Sequence, residues 1–337
     1  MAETLLAQPE VQTSPLEFTS AVELVGQSVA ITRVKELVRR AAASEGGVLI
    51  TGEAGVSVES VAAHLHARSR HAAGAFVVIQ CDAHEPARLD HELFGSASAD
   101  APEDLECVSR DSRVAAARGG TLFLHHVNEL PAAVQARLAR VARDGEVRID
   151  GVPVATAWRL IASAPPAIDA DVRAHRFRGD LFRRLSAVRI DVPPLRERPE
   201  DVSSIAMRLL ADRCAARRVR PMIFTQAALS LVASITWPGN VAELRDALDR
   251  IVDAGTDDVV QIEQVVPALQ LHRAVTPFVP AASLREARLR FEREYIAAVL
   301  QHHGWRMAEA AQTLGIQRPN LYRKARQLGI PLSRVSE

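Results

Sequence analysis

Two stretches of the chain have residue types and spacing that could do chemistry. The first is "GEAGVSVE", comprising Gly52, Glu53, Ala54, Gly55, Val56, Ser57, Val58 and Glu59. A phosphate-binding loop of the form G-x-x-x-x-G-K-[S/T] aims backbone N–H groups at phosphates and adds lysine as a point charge. Here Gly52 and Gly55 stand in place, but Ser57 replaces the second framework glycine and Val58 replaces the lysine. A charged hydrogen bond contributes about 1.5–3 kcal/mol. A micromolar ligand has about 8 kcal/mol of binding free energy in total, so losing the lysine removes a large fraction. No other lysine lies between Lys35 and Lys324 to substitute. On its own the stretch reads as a plain strand–turn–helix. The second stretch is the pair His125-His126, which offers half a metal site. With no third ligand evident in sequence, the pair reads as satisfied histidines at a strand end, and no metal is expected.

The surrounding elements would have to position these residues. From Leu24 onward helical segments alternate with short apolar runs at Val48–Thr51, Phe76–Gln80, Thr121–Leu124, Trp158–Ser163 and Ala187–Asp191. Such alternation predicts an α/β fold, a parallel sheet with helices on both faces. "DVPPLRERPED" (Asp191–Asp201) breaks the pattern with three prolines. Helices are then expected over Val202–Arg217, Gln226–Ser234, Val241–Ala254 and Ile262–Leu269. "HRAVTPFVPAAS" (His272–Ser283) is the best linker, and a helical segment over Leu284–Leu328 closes the chain. The domain expectation is a flexible tail at 1–20, an α/β subdomain at 21–197, a helical lid at 198–271, a linker at 272–283 and an all-α domain at 284–332.

Composition narrows the class. The 337 residues hold 48% apolar and 24% charged residues with zero formal net charge, which is globular. Any nucleic-acid binding must therefore come from a local basic region. Of 41 Lys+Arg only Lys35 and Lys324 are lysines, a bias that base composition explains without function. Cys81, Cys107 and Cys214 form no Cys-x-x-Cys pair, so neither disulfides nor a zinc site is suggested. No apolar run reaches the roughly 20 residues that span a bilayer, and no signal pattern opens the chain. The expected location is a reducing cytoplasm, with no membrane partner.

Taken in order, "LVGQSVAITRVKELVRRAA", "VLITGEAG", "HELFG" (His91–Gly95), "GGTLFL" (Gly119–Leu124), "RFRGDLFRRL" (Arg176–Leu185), "VPPLRERPED" (Val192–Asp201) and "WPGNVAEL" (Trp237–Leu244) resemble the AAA+ domain of bacterial enhancer-binding proteins. These are the nitrogen-regulator (NtrC) class that activates sigma-54 RNA polymerase. The match covers about residues 22–270, and several motifs in family order and spacing make it specific. The resemblance implies an AAA+ sheet with a helical lid. It also marks where this chain departs. The family's acidic pair, which handles magnesium and water, is His125-His126 here. Two carboxylates hold a hard cation through oxygen, whereas imidazole does not suit magnesium. The sensor asparagine is Pro165 and the sensor arginine is Ala242. Between Gly95 and Gly119 the family's sigma-54-touching "GAFTGA" motif is absent. Phosphoryl transfer depends on positioning and charge stabilisation, so this set of departures predicts a degenerate site with no catalytic residue. No cofactor is then expected beyond, at most, weak residual ATP binding. Arg178 and Arg184 occupy the family's arginine-finger positions. They are either fingers supplied to a competent partner or arginines of a surface helix that meets no nucleotide.

"YIAAVLQHHGWRMAEAAQTLGIQRPNLYRKARQLGI" (Tyr295–Ile330) resembles the Fis-type helix-turn-helix that ends these regulators. Met307, Ala310, Ala311 and Leu314 form an i, i+3, i+4, i+7 stripe. Gly315 supplies a left-handed turn, and Pro319 suits a first helical turn. Leu321, Ala325 and Leu328 then face inward, leaving Asn320, Tyr322, Arg323 and Arg326 outward. Residues 284–337 hold ten Lys+Arg against five Asp+Glu, the charge a duplex requires. Asn320 and Arg323 are the candidate base contacts; Arg318, Lys324 and Arg326 are candidate phosphate contacts. Upstream, Leu284, Ala287, Phe291, Tyr295 and Ala298 form a stripe suited to a dimer helix. No receiver or other sensory module is expected ahead of the AAA+ region.

The expected function is a sequence-specific DNA-binding transcriptional regulator with a pseudo-ATPase AAA+ domain. Its partners are a near-palindromic duplex and a second copy of itself, with RNA polymerase or another AAA+ regulator as further candidates. Two alternatives stay open: a sigma-54 activator with an atypical ATPase, and a subunit that modulates a competent AAA+ relative.

Overall fold

The computed structural model describes residues 22–82, 85–96, 105–255, 258–270, 296, 299–300 and 305–328. The expected tail at 1–20, the linker at 272–283 and the dimer stripe Leu284, Ala287, Phe291, Tyr295 and Ala298 lie outside the described residues, as do 97–104 of the segment where the family motif is missing. The chain divides into two compact units, Met1–His272 and Arg273–Glu337.

In the first unit the strands are β1 (Val48–Thr51), β2 (Phe76–Gln80), β3 (Cys107–Val108), β4 (Thr121–His125), β5 (Glu146–Ile149), β6 (Val152–Ala155), β7 (Arg159–Ala164), β8 (Val188–Asp191), β9 (Ile223–Phe224) and β10 (Val259–Val260). The helices are α1 (Val29–Ala43), α2 (Val58–Ala67), α3 (Pro86–Phe94), α4 (Arg113–Ala116), α5 (Ala132–Asp144), α6 (Ile168–Arg173), α7 (Gly179–Leu185), α8 (Pro199–Arg217), α9 (Gln226–Ser234), α10 (Asn240–Ala254) and α11 (Ile262–Gln270). Five strands form one parallel sheet in the order β2-β4-β7-β1-β8. All five were legible as apolar runs, each end within a residue of expectation.

The alternation along each strand explains why both faces are covered. Val48, Ile50, Phe123, Ile161 and Ile190 pack against Ile31, Val34 and Val38 of α1 and Val61 and Leu65 of α2. Leu49, Val77, Ile79, Leu122 and Leu124 face the other way, onto Leu89 and Leu93 of α3, Leu138 of α5, and Leu181 and Leu185 of α7. Burying each such side chain stabilises by about 1.5–3 kcal/mol.

A small second sheet, β3-β5-β6, was not expected. Strands β5 and β6 form a hairpin about Asp150 and Gly151, both at positive φ (51° and 80°). An Asp-Gly pair between two runs favours this tight turn. Helices α8 to α11 share an apolar core around Trp237, which is 1% exposed and donates its indole N–H to the Val232 carbonyl at 2.9 Å. Helix α8 begins at Pro199, three residues before the expected start, because proline at a first helical turn lacks only an N–H that has no intrahelical acceptor.

In the second unit, helices Met307–Thr313 and Arg318–Gln327 close over Ile296, Leu300, Met307, Ala310, Ala311, Leu321 and Ala325. Gly315 between them has φ +66°. Among the described residues, no helix is long and apolar enough to cross a membrane, and the three cysteines are free.

Candidate functional site

The loop at 52–57 leaves the C-terminal end of β1 and runs into α2, lining a cavity of about 540 Å³. Val58, at the lysine position, is 6% exposed and belongs to the apolar cluster on the α1–α2 face. Its alkyl side chain therefore packs where a phosphate-binding lysine would carry charge. Several amides of this stretch already have acceptors inside the chain. The Ser57 N–H donates to Glu23 Oε1 at 2.7 Å, and the Val58 N–H donates to the Val56 carbonyl at 2.9 Å. Glu23 is itself fully buried and paired with buried Arg198. A phosphate entering the loop would compete with that carboxylate.

The α8–α11 subdomain holds the loop from the other side. The Ala242 N–H donates to the Gly55 carbonyl at 2.9 Å, and Asn240 Nδ2 donates to the Ala54 carbonyl at 2.9 Å. Arg245 donates to Ser57 Oγ at 3.0 Å, and Arg196 grips Glu53 through both guanidinium nitrogens at 2.5 Å each. The Arg196 hydrogen bond holds the Glu53 carboxyl below its ordinary range. Gly55 has φ +81°, and a Cβ there would strike the Gly239 carbonyl, so glycine is required for this approach. Ala242 and Pro165 line the cavity, and neither side chain offers a donor. Arg245 lines it too, one turn beyond Ala242 on α10. Sequence reasoning had marked the sensor arginine as absent without seeing that i+3 places another arginine on the same face.

His125 ends β4, while His126 takes a left-handed backbone at φ 55°. His125 is 7% exposed, and its Nε2 meets Glu59 Oε1 at 2.8 Å. His126 is half-exposed, and its Nδ1 meets Asp82 Oδ2 at 2.8 Å. The two imidazole rings lie with centroids 3.9 Å apart, tilted by 45° to one another. Burial pushes the Glu59 carboxyl up, but hydrogen bonding and charge from His125 outweigh it and hold the group below its ordinary value. For Asp82, burial likewise pushes upward and the His126 hydrogen bond prevails. The expectation of satisfied histidines without a third ligand needs correction. One donor atom from each of Asp82, His125 and His126 lies within 4.8 Å of the others. The second nitrogen of His125, Nδ1, is buried with no partner.

The arginine-finger candidates are not among the residues lining this cavity. Arg178 is exposed at the N-cap of α7, its guanidinium bonded to Asp180 at 3.0 and 2.7 Å. Arg184 is exposed in the last turn of α7.

The second unit carries the nucleic-acid candidates on helix Arg318–Gln327. Arg318, Asn320, Tyr322, Arg323 and Arg326 are exposed, and Lys324 is half-buried. Arg323 donates to Asn320 Oδ1 at 3.2 Å, so the two chosen base readers already touch. The Arg318 guanidinium lies 5.8 Å from the Tyr322 ring centroid.

Comparison with known proteins agrees with this architecture. The "Sigma-54 interaction domain" family matches residues 24–191, the "AAA+ ATPase lid domain" family residues 196–277, and the "Bacterial regulatory protein, Fis family" residues 288–328. The nitrogen assimilation regulatory protein NtrX of Azorhizobium caulinodans is 33% identical over 97% of this chain and 73% of its own length. The nitric oxide reductase transcription regulator NorR1 of Cupriavidus necator is 36% identical over 91% of this chain and 64% of its own length. The chain thus spans about two thirds to three quarters of these relatives. The crystal structure of NtrX from Brucella abortus in complex with ADP superposes with a TM-score of 0.63 at 30% identity, covering 91% of this chain and 69% of that one. NtrX in complex with ATP gives 0.62 at 29% identity, covering 90% and 69%. With a parallel sheet, lid and helix-turn-helix matched in order along one chain, the protein belongs to the NtrC-class family of bacterial transcriptional regulators, which join a sigma-54-interacting AAA+ domain to a Fis-type helix-turn-helix.

Proposed function

We propose that this chain is a sequence-specific DNA-binding transcriptional regulator whose AAA+ domain does not hydrolyse ATP. It would then act as a repressor, or through contact with another polymerase form or regulator, without remodelling sigma-54 polymerase. One observation carries the proposal: the charge-bearing positions of the cavity hold a buried valine and two imidazoles bonded to Glu59 and Asp82. Transition-state charge on a transferring phosphoryl group is stabilised by lysine and by carboxylate-held magnesium, and these residues supply neither. The bonds from Glu23 to the loop and from Asn240, Ala242 and Arg245 across it support the same view. They give the loop internal partners that require no nucleotide.

A relative of the same family, NtrX from Brucella abortus, has been crystallised with ATP, so binding and turnover need separate assays. Purified protein at millimolar Mg-ATP is expected to release no phosphate above a matched control. Val58→Lys alone is expected not to rescue turnover, because the acidic pair remains histidine. Saturable, protein-dependent phosphate release would overturn the proposal. A second reading, in which the chain joins a competent AAA+ relative and lends it an arginine, is compatible with the exposure of Arg178 and Arg184, though Arg178 would first have to leave Asp180. On the proposed reading the protein is cytoplasmic, requires no nucleotide cofactor and binds a near-palindromic duplex as a dimer.

A further inference from the structure

The strands β2 and β4 are parallel neighbours, with Gln80 opposite His125. Asp82 leaves the first strand and His125-His126 close the second, so the three side chains gather at one edge of the sheet, beside the phosphate loop. From this geometry we propose that Asp82, His125 and His126 bind a borderline divalent transition cation, of which Zn2+ is the representative, in the cavity where the family's nucleotide chemistry would lie.

Four observations support the site. A donor atom from each residue lies within 4.8 Å of the other two. The set of two imidazoles and one carboxylate suits zinc and its neighbours, while magnesium and calcium call for oxygen throughout. His125 is more than nine-tenths buried, one ring nitrogen is fixed by Glu59 at 2.8 Å, and the other has no partner. A carboxylate that holds one imidazole nitrogen and leaves the second open is the arrangement that orients a metal-ligating histidine. Lastly, with Glu53 neutralised by Arg196, the cavity is still lined by Glu59, Asp82 and Glu129 against the single lining guanidinium of Arg245, a balance that draws cations.

Asp82 and His126 side chains are each 44% exposed, so the ion has a path from solvent and a position left for water. The hydrogen bond joining them at 2.8 Å would give way to two bonds to the ion. Ligand atoms of a tetrahedral site with bonds of about 2.0–2.2 Å stand about 3.3 Å apart. The adjustment is a small side-chain rotation.

The test uses the full chain, stripped of metal with a chelator and dialysed. Zn2+ is titrated against a chromophoric competitor, and Co2+ is added separately to read visible absorption bands. The expected result is one tight equivalent of Zn2+ and a Co2+ spectrum of low coordination number, both unaffected by millimolar Mg2+. His126→Ala and Asp82→Asn are expected to weaken Zn2+ at least about tenfold and abolish the Co2+ bands. Glu59→Gln is expected to weaken it about 10–100-fold through the imidazole it orients. Circular dichroism confirms that each variant is folded. Should His125→Ala fail to fold because it is buried, half-exposed His126 and Asp82 decide the matter. Absence of stoichiometric binding, or binding unchanged in both His126→Ala and Asp82→Asn, overturns the assignment and places any bound metal elsewhere on the chain.

Discussion

Replacing Glu23 with alanine tests whether the phosphate loop is held by the chain itself. The Glu23 and Arg198 side chains are both 0% exposed and paired, and Arg198 also donates to the Glu23 carbonyl at 2.7 Å. The other carboxylate oxygen accepts the Ser57 N–H at 2.7 Å. Glu23→Ala therefore leaves a guanidinium buried without its counter-charge and a loop amide without its acceptor. Breaking a buried ion pair by removing one partner costs about 3–5 kcal/mol. For a folding unit of this size each kcal/mol lowers Tm by about 2–4 °C, so the midpoint should fall by about 6–20 °C. Glu23→Gln keeps an acceptor for Ser57 and should fall between the variant and the parent. The double variant Glu23→Leu with Arg198→Met removes the stranded charge and should be more stable than Glu23→Ala alone. Thermal and denaturant unfolding of the full chain, followed by circular dichroism, measure the parent and the three variants. A Glu23→Ala cost below about 1 kcal/mol, within the ordinary range of point substitutions, would refute the reasoning. So would a double variant no more stable than Glu23→Ala.

Four further outcomes are expected. Arg323→Ala should lose preference for its operator by about 1–3 kcal/mol while keeping salt-sensitive binding to any duplex. Arg326→Ala should weaken all sequences alike and shallow the salt dependence by about one unit of slope; anisotropy titrations on operator and scrambled DNA at several salt concentrations separate the two. If the chain joins a competent AAA+ relative, Arg178→Ala or Arg184→Ala should lower the ATPase of the mixture and not that of the relative alone, and failure to co-purify would remove that second reading. The Arg178 hydrogen bond holds the Asp180 carboxyl at about 2, below its ordinary 3.8. Because the folded value is the depressed one, the pair's contribution is complete above the ordinary value and fades as pH falls toward 2. Arg178→Ala should raise the Asp180 titration toward its ordinary 3.8 by carboxyl NMR, short of it by what the Leu181 N–H still contributes, and a value still near 2 would reassign the cause.

The parts of the molecule legible in sequence were those fixed by local periodicity. Apolar runs marked all five strands of the main sheet because both faces are buried, as Leu49 and Ile50 show by packing on opposite sides. The positions of Val58, Pro165 and Ala242 around the cavity followed from motif spacing alone. Partners chosen by tertiary contact were not legible. Asp82 precedes His126 by 44 residues, and only strand pairing brings them together. Glu23 reaches Ser57 across 34 residues because the short turn Val22–Leu24 packs against α2. The β5–β6 hairpin was missed although its Asp150-Gly151 turn is a local signal, because the strands are short and β6 is largely exposed.

The bonds from Asn240, Ala242 and Arg245 to the loop join two parts of one polypeptide. On the proposed function their equilibrium contains no nucleotide term, so the energy charge of the cell would not enter it. A subdomain closed by a nucleotide reports how much nucleotide is present, whereas one that closes on its own bonds and binds no nucleotide is in the same state at every ATP level. On the proposed function, output would then follow how many copies of the protein are made and how fully they occupy their DNA sites, which puts control in its own synthesis and degradation.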